Sequence, residues 1–315
     1  MKGVKEEILE IITGSNLYGT DTPESDKDYM GVFIPETEFV LGFNKIEEVD
    51  LSTQVKDASG KNTKESVDRK FYELRKYMKL AMMCNPNIIE TLFVNQENIV
   101  SINEVGQEIL DNKHLFPCKF LKHKFLGYAF SQKHKMIIKR DNFFDLTSAC
   151  EYLKKFDGKK FIMEVALEKD CPNYFKLRAD KTHNTKFVQI GDINILPATV
   201  VAKALRMLTE RLGKVGNRQN LMLKHGYDTK FASHLVRLLV EGKELLETGG
   251  LEFPLKEAPM ILDIKAGKWE EKAIIDYAED VEAEIESLYE TSKLPKKPYF
   301  KDVENLCIKI MRRYI

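Results

Sequence analysis

Thr13-Gly14-Ser15-Asn16-Leu17-Tyr18-Gly19-Thr20-Asp21-Thr22-Pro23-Glu24-Ser25-Asp26-Lys27-Asp28-Tyr29 lies between two apolar runs. Before it, residues 8–13 are rich in β-branched side chains and stop at Gly14, the pattern of a short buried strand. After it, residues 29–34 (Tyr-Met-Gly-Val-Phe-Ile) read as a second strand ended by Pro35. Asp26 and Asp28 are two apart at the opening of that strand, and strand side chains repeat every two residues, so both carboxylates point the same way. Two close carboxylates repel unless a proton or a cation lies between them. A hard divalent cation with oxygen ligands is the natural solution, and Mg²⁺ takes one or two protein carboxylates plus substrate phosphates. Gly14-Ser15 lets the backbone approach a ligand closely, its N–H groups can line an anion-binding concavity, and Ser15 adds a hydroxyl. A Gly-Ser pair alone suits a tight turn, and an Asp-x-Asp alone suits a solvated strand end. Together, about a dozen residues apart between two strands, they supply what a nucleoside triphosphate and its Mg²⁺ need.

Farther along the chain the period changes. Leu74, Tyr77, Met78, Ala81 and Met82 share one helical face, and Asn85-Pro86 ends that helix. A short second helix is expected from Pro86 to about Leu92. From about residue 105 the pattern is mainly helical: Val201, Leu205, Leu208 and Leu212 form one stripe. Phe231, Leu235, Leu238, Leu239, Leu245 and Leu246 form another, closed by Gly249-Gly250. Residues 50–66, with Ser59-Gly60, read as an exposed loop. Residues 161–167 and 187–190 read as a small β excursion around the polar segment 180–185. The expected organisation is a catalytic domain at 1–104 and a mainly helical domain at 105–315 carrying a β insertion at about 158–198.

Gly14-Ser15, Gly19 and Ser25-Asp26-x-Asp28 resemble the Gly-Ser…Ser-Asp-x-Asp pattern of the DNA polymerase beta-like nucleotidyltransferase superfamily. Within it, the chain resembles the RNA-repair-pathway polymerase-beta family of bacteria and phages. Residues 14–35, 73–93, 125–129 (Phe-Leu-Gly-Tyr-Ala) and 226–239 (Gly-Tyr-Asp-Thr-Lys-Phe-Ala-Ser-His-Leu-Val-Arg-Leu-Leu) carry that likeness, whereas 158–198 carry none. The resemblance implies an α+β fold, with a mixed sheet flanked by helices and then a mainly helical part. It implies an enzyme that transfers a nucleoside monophosphate from an NTP such as ATP to an acceptor hydroxyl and releases pyrophosphate. It further implies three carboxylates and two Mg²⁺ ions, with Mn²⁺ as the alternative metal. Asp26 and Asp28 match the first two carboxylate positions; Asp68 is the expected third, with Glu73 in reserve. The acceptor expected is an RNA end, such as that of a tRNA. The enzymatic alternative is transfer of AMP to a protein, and the non-enzymatic one is an inactive nucleic-acid-binding or regulatory module.

Two further groups of residues stand out. Lys230, His234 and Arg237 fall at i, i+4 and i+7 on the helix that carries Phe231, as a face that could receive phosphates or simply a solvated face. Residues 112–140 contain no acid but eight Lys/Arg (Lys113, Lys119, Lys122, Lys124, Lys133, Lys135, Lys139, Arg140), interleaved with Phe116, Phe120, Phe125, Tyr128 and Phe130. Basic residues mixed with aromatics can track a phosphate backbone and stack bases, which nominates Lys122, Lys124, Lys133 and Lys135 as acceptor contacts. An amphipathic helix with a basic outer face and an aromatic core face fits the same pattern, with the acids between Asp276 and Glu290 as its counterweight. Asn85-Pro86 and Glu90 read as a helix break and a packing corner, Trp269 as a core or interface anchor, and Pro295-Lys-Lys-Pro-Tyr299 as an exposed linker.

Composition narrows the class. Lys+Arg and Asp+Glu both number 49 in 315 residues, so no global field points to nucleic acid or membrane. No uncharged stretch exceeds about ten residues, short of the ~20 that a membrane helix needs. Acids near the first residues argue against a secretory signal. Five cysteines without a C-x-x-C pair suit a reduced, cytoplasmic chain with no Cys-type zinc site.

Overall fold

The computed structural model describes residues 2–23, 25–55, 66–180, 185–214 and 218–315. Glu24, the Ser59-Gly60 loop and residues 181–184 of the polar segment expected at 180–185 lie outside them. The strands of the first sheet are β1 (Val4–Thr13), β2 (Lys27–Pro35), β3 (Glu48–Asp50), β4 (Val67–Glu73) and β5 (Ile99–Ile102). They lie in the order β3-β4-β2-β1-β5. β2 runs parallel to β4, and the other neighbours are antiparallel. The helices of this half are α1 (Gly14–Tyr18), α2 (Thr37–Leu41), α3 (Leu74–Met82), α4 (Pro86–Ile89) and α5 (Glu104–Asp111). α3 spans the expected apolar stripe. It starts where Glu73 accepts the Lys76 N–H, and Asn85 then caps α4, with Pro86 at its first turn.

The rest is mainly helical, as expected: α6 (Leu121–Leu153), α7 (Ile162–Ala166), α8 (Val201–Gly213), α9 (Arg218–His225), α10 (Thr229–Thr248), α11 (Ala258–Lys265), α12 (Glu271–Thr291) and α13 (Phe300–Met311). A three-stranded antiparallel sheet interrupts it: β6 (Lys176–Asp180), β7 (Thr185–Ile190) and β8 (Ile193–Ile195). One expectation is corrected here. Ile162–Ala166 of that run form α7, not a strand, and Phe161 makes only an isolated bridge to Val200: Glu164 accepts the Phe161 N–H, while Ile162 and Val165, three apart, are both buried. α10 ends as expected at Gly249, whose φ of +80° allows its N–H to reach the Leu245 carbonyl at 2.9 Å.

The chain forms two compact units. One comprises residues 1–130, 233–264 and 273–315, and the other residues 131–232 and 265–272. The unit of the large sheet therefore takes chain from both sides of the boundary expected at 104/105. The second unit has its own core, in which Leu146, Leu153, Ile162, Val188, Ile195 and Leu208 are buried together. The five cysteines are free thiols, and among the described residues no helix is long and apolar enough to cross a membrane.

Close packing across β2 needs a missing side chain. A Cβ on Gly31 would lie 2.1 Å from Cε1 of the fully buried Phe71. The Arg69 guanidinium stacks 5.5 Å from that ring and donates to both oxygens of the buried Glu10, at 2.6 and 2.7 Å. Gly31→Ala is expected to lower unfolding stability by ~1–3 kcal/mol in urea melts, because Phe71 and the Arg69–Glu10 pair must shift together.

Candidate active site

Three adjacent strands build the corner in which the acids stand. The register pairs Thr13 with Asp28 across β1 and β2, and Asp28 with Asp68 across β2 and β4. Residues paired in register share a face of the sheet, so Asp28 and Asp68 are immediate neighbours on one face. Asp26 stands two residues earlier, just before β2, and the Asn16 side-chain amide donates to its carbonyl at 3.3 Å. Ser25 closes the preceding turn: its hydroxyl accepts the Thr22 N–H at 2.9 Å, and its N–H donates to the Thr22 carbonyl. Asp26 and Asp68 are exposed and Asp28 is half-buried.

Gly14 makes the close approach possible. Its φ is +65°, the left-handed region, and a Cβ there would lie 2.2 Å from Asp28 Oδ2. The turn from β1 into α1 thus lies directly against the carboxylate of β2, and both halves of the Gly-Ser…Asp-x-Asp pattern occupy one corner. Half-buried Ser15 follows, and its carbonyl accepts the N–H groups of Gly19 and Thr20.

Glu73 is elsewhere. Five residues beyond Asp68 in the same strand, it falls on the opposite face. It is buried, caps α3 and takes the Arg75 Nε at 2.7 Å, which is structural work. The donors Asp26, Asp28 and Asp68 suit a hard divalent cation by their chemistry. Among the described residues, no three His, Cys, Asp or Glu side chains are gathered closely enough to hold a metal as they stand. Like charges repel across such a row until a cation lies between them, so an open arrangement is what the chain's own electrostatics favour.

The three residues expected on one face of α10 do not share one environment. Lys230 is exposed, and its backbone N–H, with that of Phe231, donates to Asp228 Oδ1. His234 is half-buried. Arg237 is only 6% exposed, so the solvated face read from the sequence does not hold there. Its Nη1 donates to Glu90 Oε2 at 2.9 Å and to both Glu241 oxygens at 2.9 and 3.0 Å. Glu241 is one helical turn along, but Glu90 comes from the turn after α4, and no sequence period could disclose that partner. Glu90 also accepts the Tyr18 hydroxyl at 2.7 Å, and the guanidinium lies 4.4 Å from the Tyr18 ring centroid. Burial pushes Glu241 up to about 8 and also raises Glu90, while Glu241, Tyr18 and Glu90 hold the Arg237 cation against the opposing effect of burial.

The acid-free segment divides into two faces. Phe116, Phe125, Ala129 and Met136 are buried, while Phe120, Tyr128 and Phe130 are partly exposed. Lys122 is ion-paired with Glu286 and lies 4.5 Å from the Tyr289 ring centroid, and Lys119 donates to the Tyr289 and Glu290 carbonyls. The counterweight expected from the acids of α12 is therefore realised at Lys122, which is 12% exposed at its side chain. Lys124 lies 5.3 Å from the Phe120 ring centroid, Lys133 is half-buried and Lys135 is exposed.

Residues 6–153 match the RNA repair pathway DNA polymerase beta family. The resemblance read from the motifs is thereby borne out over a stretch that contains Gly14, Ser15, Asp26, Asp28 and Asp68. Lys230, His234 and Arg237 lie beyond it. The match supports a nucleotidyltransferase-like protein acting on nucleotides or nucleic acid in general, and the mixed sheet followed by helices agrees with a polymerase-beta-like fold. The chain is also similar to an uncharacterized 38.9 kDa protein in the nrdC-mobD intergenic region of Enterobacteria phage T4. The two are 28% identical over 300 residues, covering 89% of this chain and 88% of that protein. No solved structure matches the chain.

Two predictions follow from this geometry. Gly14→Ala combines a disfavoured φ with a collision against Asp28, and should lower the midpoint of a thermal melt. For Glu241, a carboxyl raised in the fold contributes stability below its unfolded value near 4.5 and loses it as pH rises through about 8. Thermal melts from pH 6 to 9 at constant ionic strength should show a falling midpoint that Glu241→Gln flattens.

Proposed function

We propose that the chain is a metal-dependent nucleotidyltransferase that moves a nucleoside monophosphate from an NTP to the hydroxyl of an RNA end. The observation that carries the reading is the register row Thr13–Asp28–Asp68, with Gly14 closed against Asp28 at its head. In that arrangement Asp26, Asp28 and Asp68 would hold Mg²⁺, and Gly14-Ser15 would receive the triphosphate. Bound there, Mg²⁺ supplies charge neutralisation on the phosphates and a lowered pKa for the attacking hydroxyl. The acceptor oxygen bonds to the α-phosphorus, the bond from that phosphorus to the bridging oxygen breaks, and pyrophosphate leaves. The hydroxyl proton passes to water or a site carboxylate. RNA as acceptor is supported by the family description and by the partly exposed Phe120, Tyr128 and Phe130, whose rings suit stacking of bases.

The test is a labelling assay. Each α-labelled NTP is incubated with Mg²⁺, total cellular RNA and protein, using wild type and Asp26→Ala/Asp28→Ala. Label in RNA with wild type only is the expected result. Label in protein would transfer the reading to AMP transfer, and absence of any NTP binding would sink the enzyme. Within the site, Asp68→Asn should reduce turnover at least ~10²-fold while leaving the fold intact, as expected for lost charge stabilisation. Glu73→Gln should stay active and instead lower the thermal midpoint, because it loses a cap and an ion pair.

A further inference from the structure

α1 has five residues, far below the length at which a helix holds its own shape, so its orientation comes from what grips its end. That end is Tyr18, which is 7% exposed and gripped from several sides. Its hydroxyl donates to Glu90 Oε1, its carbonyl accepts the Leu255 N–H at 3.1 Å, and its ring faces the Arg237 guanidinium. The next residue, Gly19, approaches Pro254 so closely that a Cβ would lie 2.6 Å away. Ser15 is one helical turn before Tyr18, so a tilt of the ring is carried directly to the Gly14-Ser15 turn and to its contact with Asp28. Arg237 is buried, with its Nη1 bound to Glu90 and Glu241 and its Nε enclosed without a hydrogen-bond partner, so burial rather than pairing keeps the guanidinium from a triphosphate.

We infer that Arg237 is a positioning residue for the nucleotide site, acting through Glu90 and Tyr18 on the Gly14-Ser15 turn rather than by touching phosphate. The inference rests on the nucleotidyltransferase reading above. It explains why a cation is sequestered so near the chain's anion-binding motif. The guanidinium fixes both oxygens of the relay: one Glu90 oxygen takes Arg237, which leaves the other aimed at the Tyr18 hydroxyl. Asp28 and Asp68 are aligned by the β2–β4 register, which does not pass through this relay, while Asp26 touches α1 only through the Asn16 amide on its carbonyl. Loosening it should therefore affect triphosphate affinity more than the acids.

The experiment is calorimetric titration of Mg²⁺ with each of the four NTPs into wild type, Tyr18→Phe, Arg237→Lys and Leu246→Ala, with a thermal melt of each. Tyr18→Phe removes one hydroxyl and keeps the ring, and Leu246→Ala truncates a buried side chain of α10 outside the relay. Tyr18→Phe and Arg237→Lys should weaken NTP binding about tenfold, the equivalent of one charge-assisted hydrogen bond. Tyr18→Phe should melt somewhat below wild type, because a buried Glu90 oxygen loses its donor, whereas Leu246→Ala should melt further below it yet bind NTP normally. Affinity that simply follows the melting midpoint across the variants, or Tyr18→Phe binding as wild type does, would overturn the positioning role and leave the proposed function standing. Wild type that binds no NTP would overturn both. If Arg237→Lys does not fold, Tyr18→Phe against Leu246→Ala carries the decision.

Discussion

Two carboxylates and one guanidinium removed from water constrain this molecule more than any other feature. Glu90 is 1% exposed, Glu241 0% and Arg237 6%, and stranding any of them alone would leave a buried charge without its partner. The group joins positions 18, 90, 237 and 241, so α1, the turn after α4 and α10 must pack in one body. That accounts for why residues 233–264 return to the unit of the five-stranded sheet although more than a hundred residues intervene. Burial opposes ionisation of both acids and of Arg237 alike, and Glu241, Tyr18 and Glu90 are what hold the guanidinium charged.

The candidate site depends on removing side chains as much as on placing them. Gly14 permits the strand-to-helix turn to lie against Asp28, and Gly31 permits Phe71 to cross β2. Between these close approaches the parallel β2–β4 pairing aligns Asp28 with Asp68. Parallel pairing of two strands so close in sequence needs a connection that returns the chain to its starting end, and α2 and β3 lie within that connection. The same alternation places Glu73 on the other face, where it caps α3. Two acids five residues apart in one strand thus face opposite sides of the sheet.

Charge balance in the whole chain is matched by local pairing. The acid-free segment meets α12 at Lys122–Glu286, and Arg140 farther along pairs with Asp141 and Glu271. Such pairs neutralise part of the segment's positive charge locally. Phe120, Tyr128 and Phe130 remain partly exposed on the same segment.

Local physics was legible in the sequence. β1, the glycine turn and β2, the α3 stripe, the Asn85-Pro86 break and the Gly249 end of α10 depend on periodicity, on positive φ or on the geometry of proline. A residue and its near neighbours carry all of that information. β3 and β5 left no comparable mark, because three- and four-residue edge strands are held by their partners rather than by their own pattern. Residues 161–167 misled because a short apolar run has no period of its own, and Glu164 closed it into a helix. The sequence by itself determined that Gly14-Ser15 and Asp26-x-Asp28 belong to one strand–turn–strand corner. Only the tertiary structure decided that Asp68 rather than Glu73 stands beside Asp28, and that Arg237 faces Glu90 rather than solvent. Register and buried ion pairing are set between segments distant in sequence, where no local pattern records them.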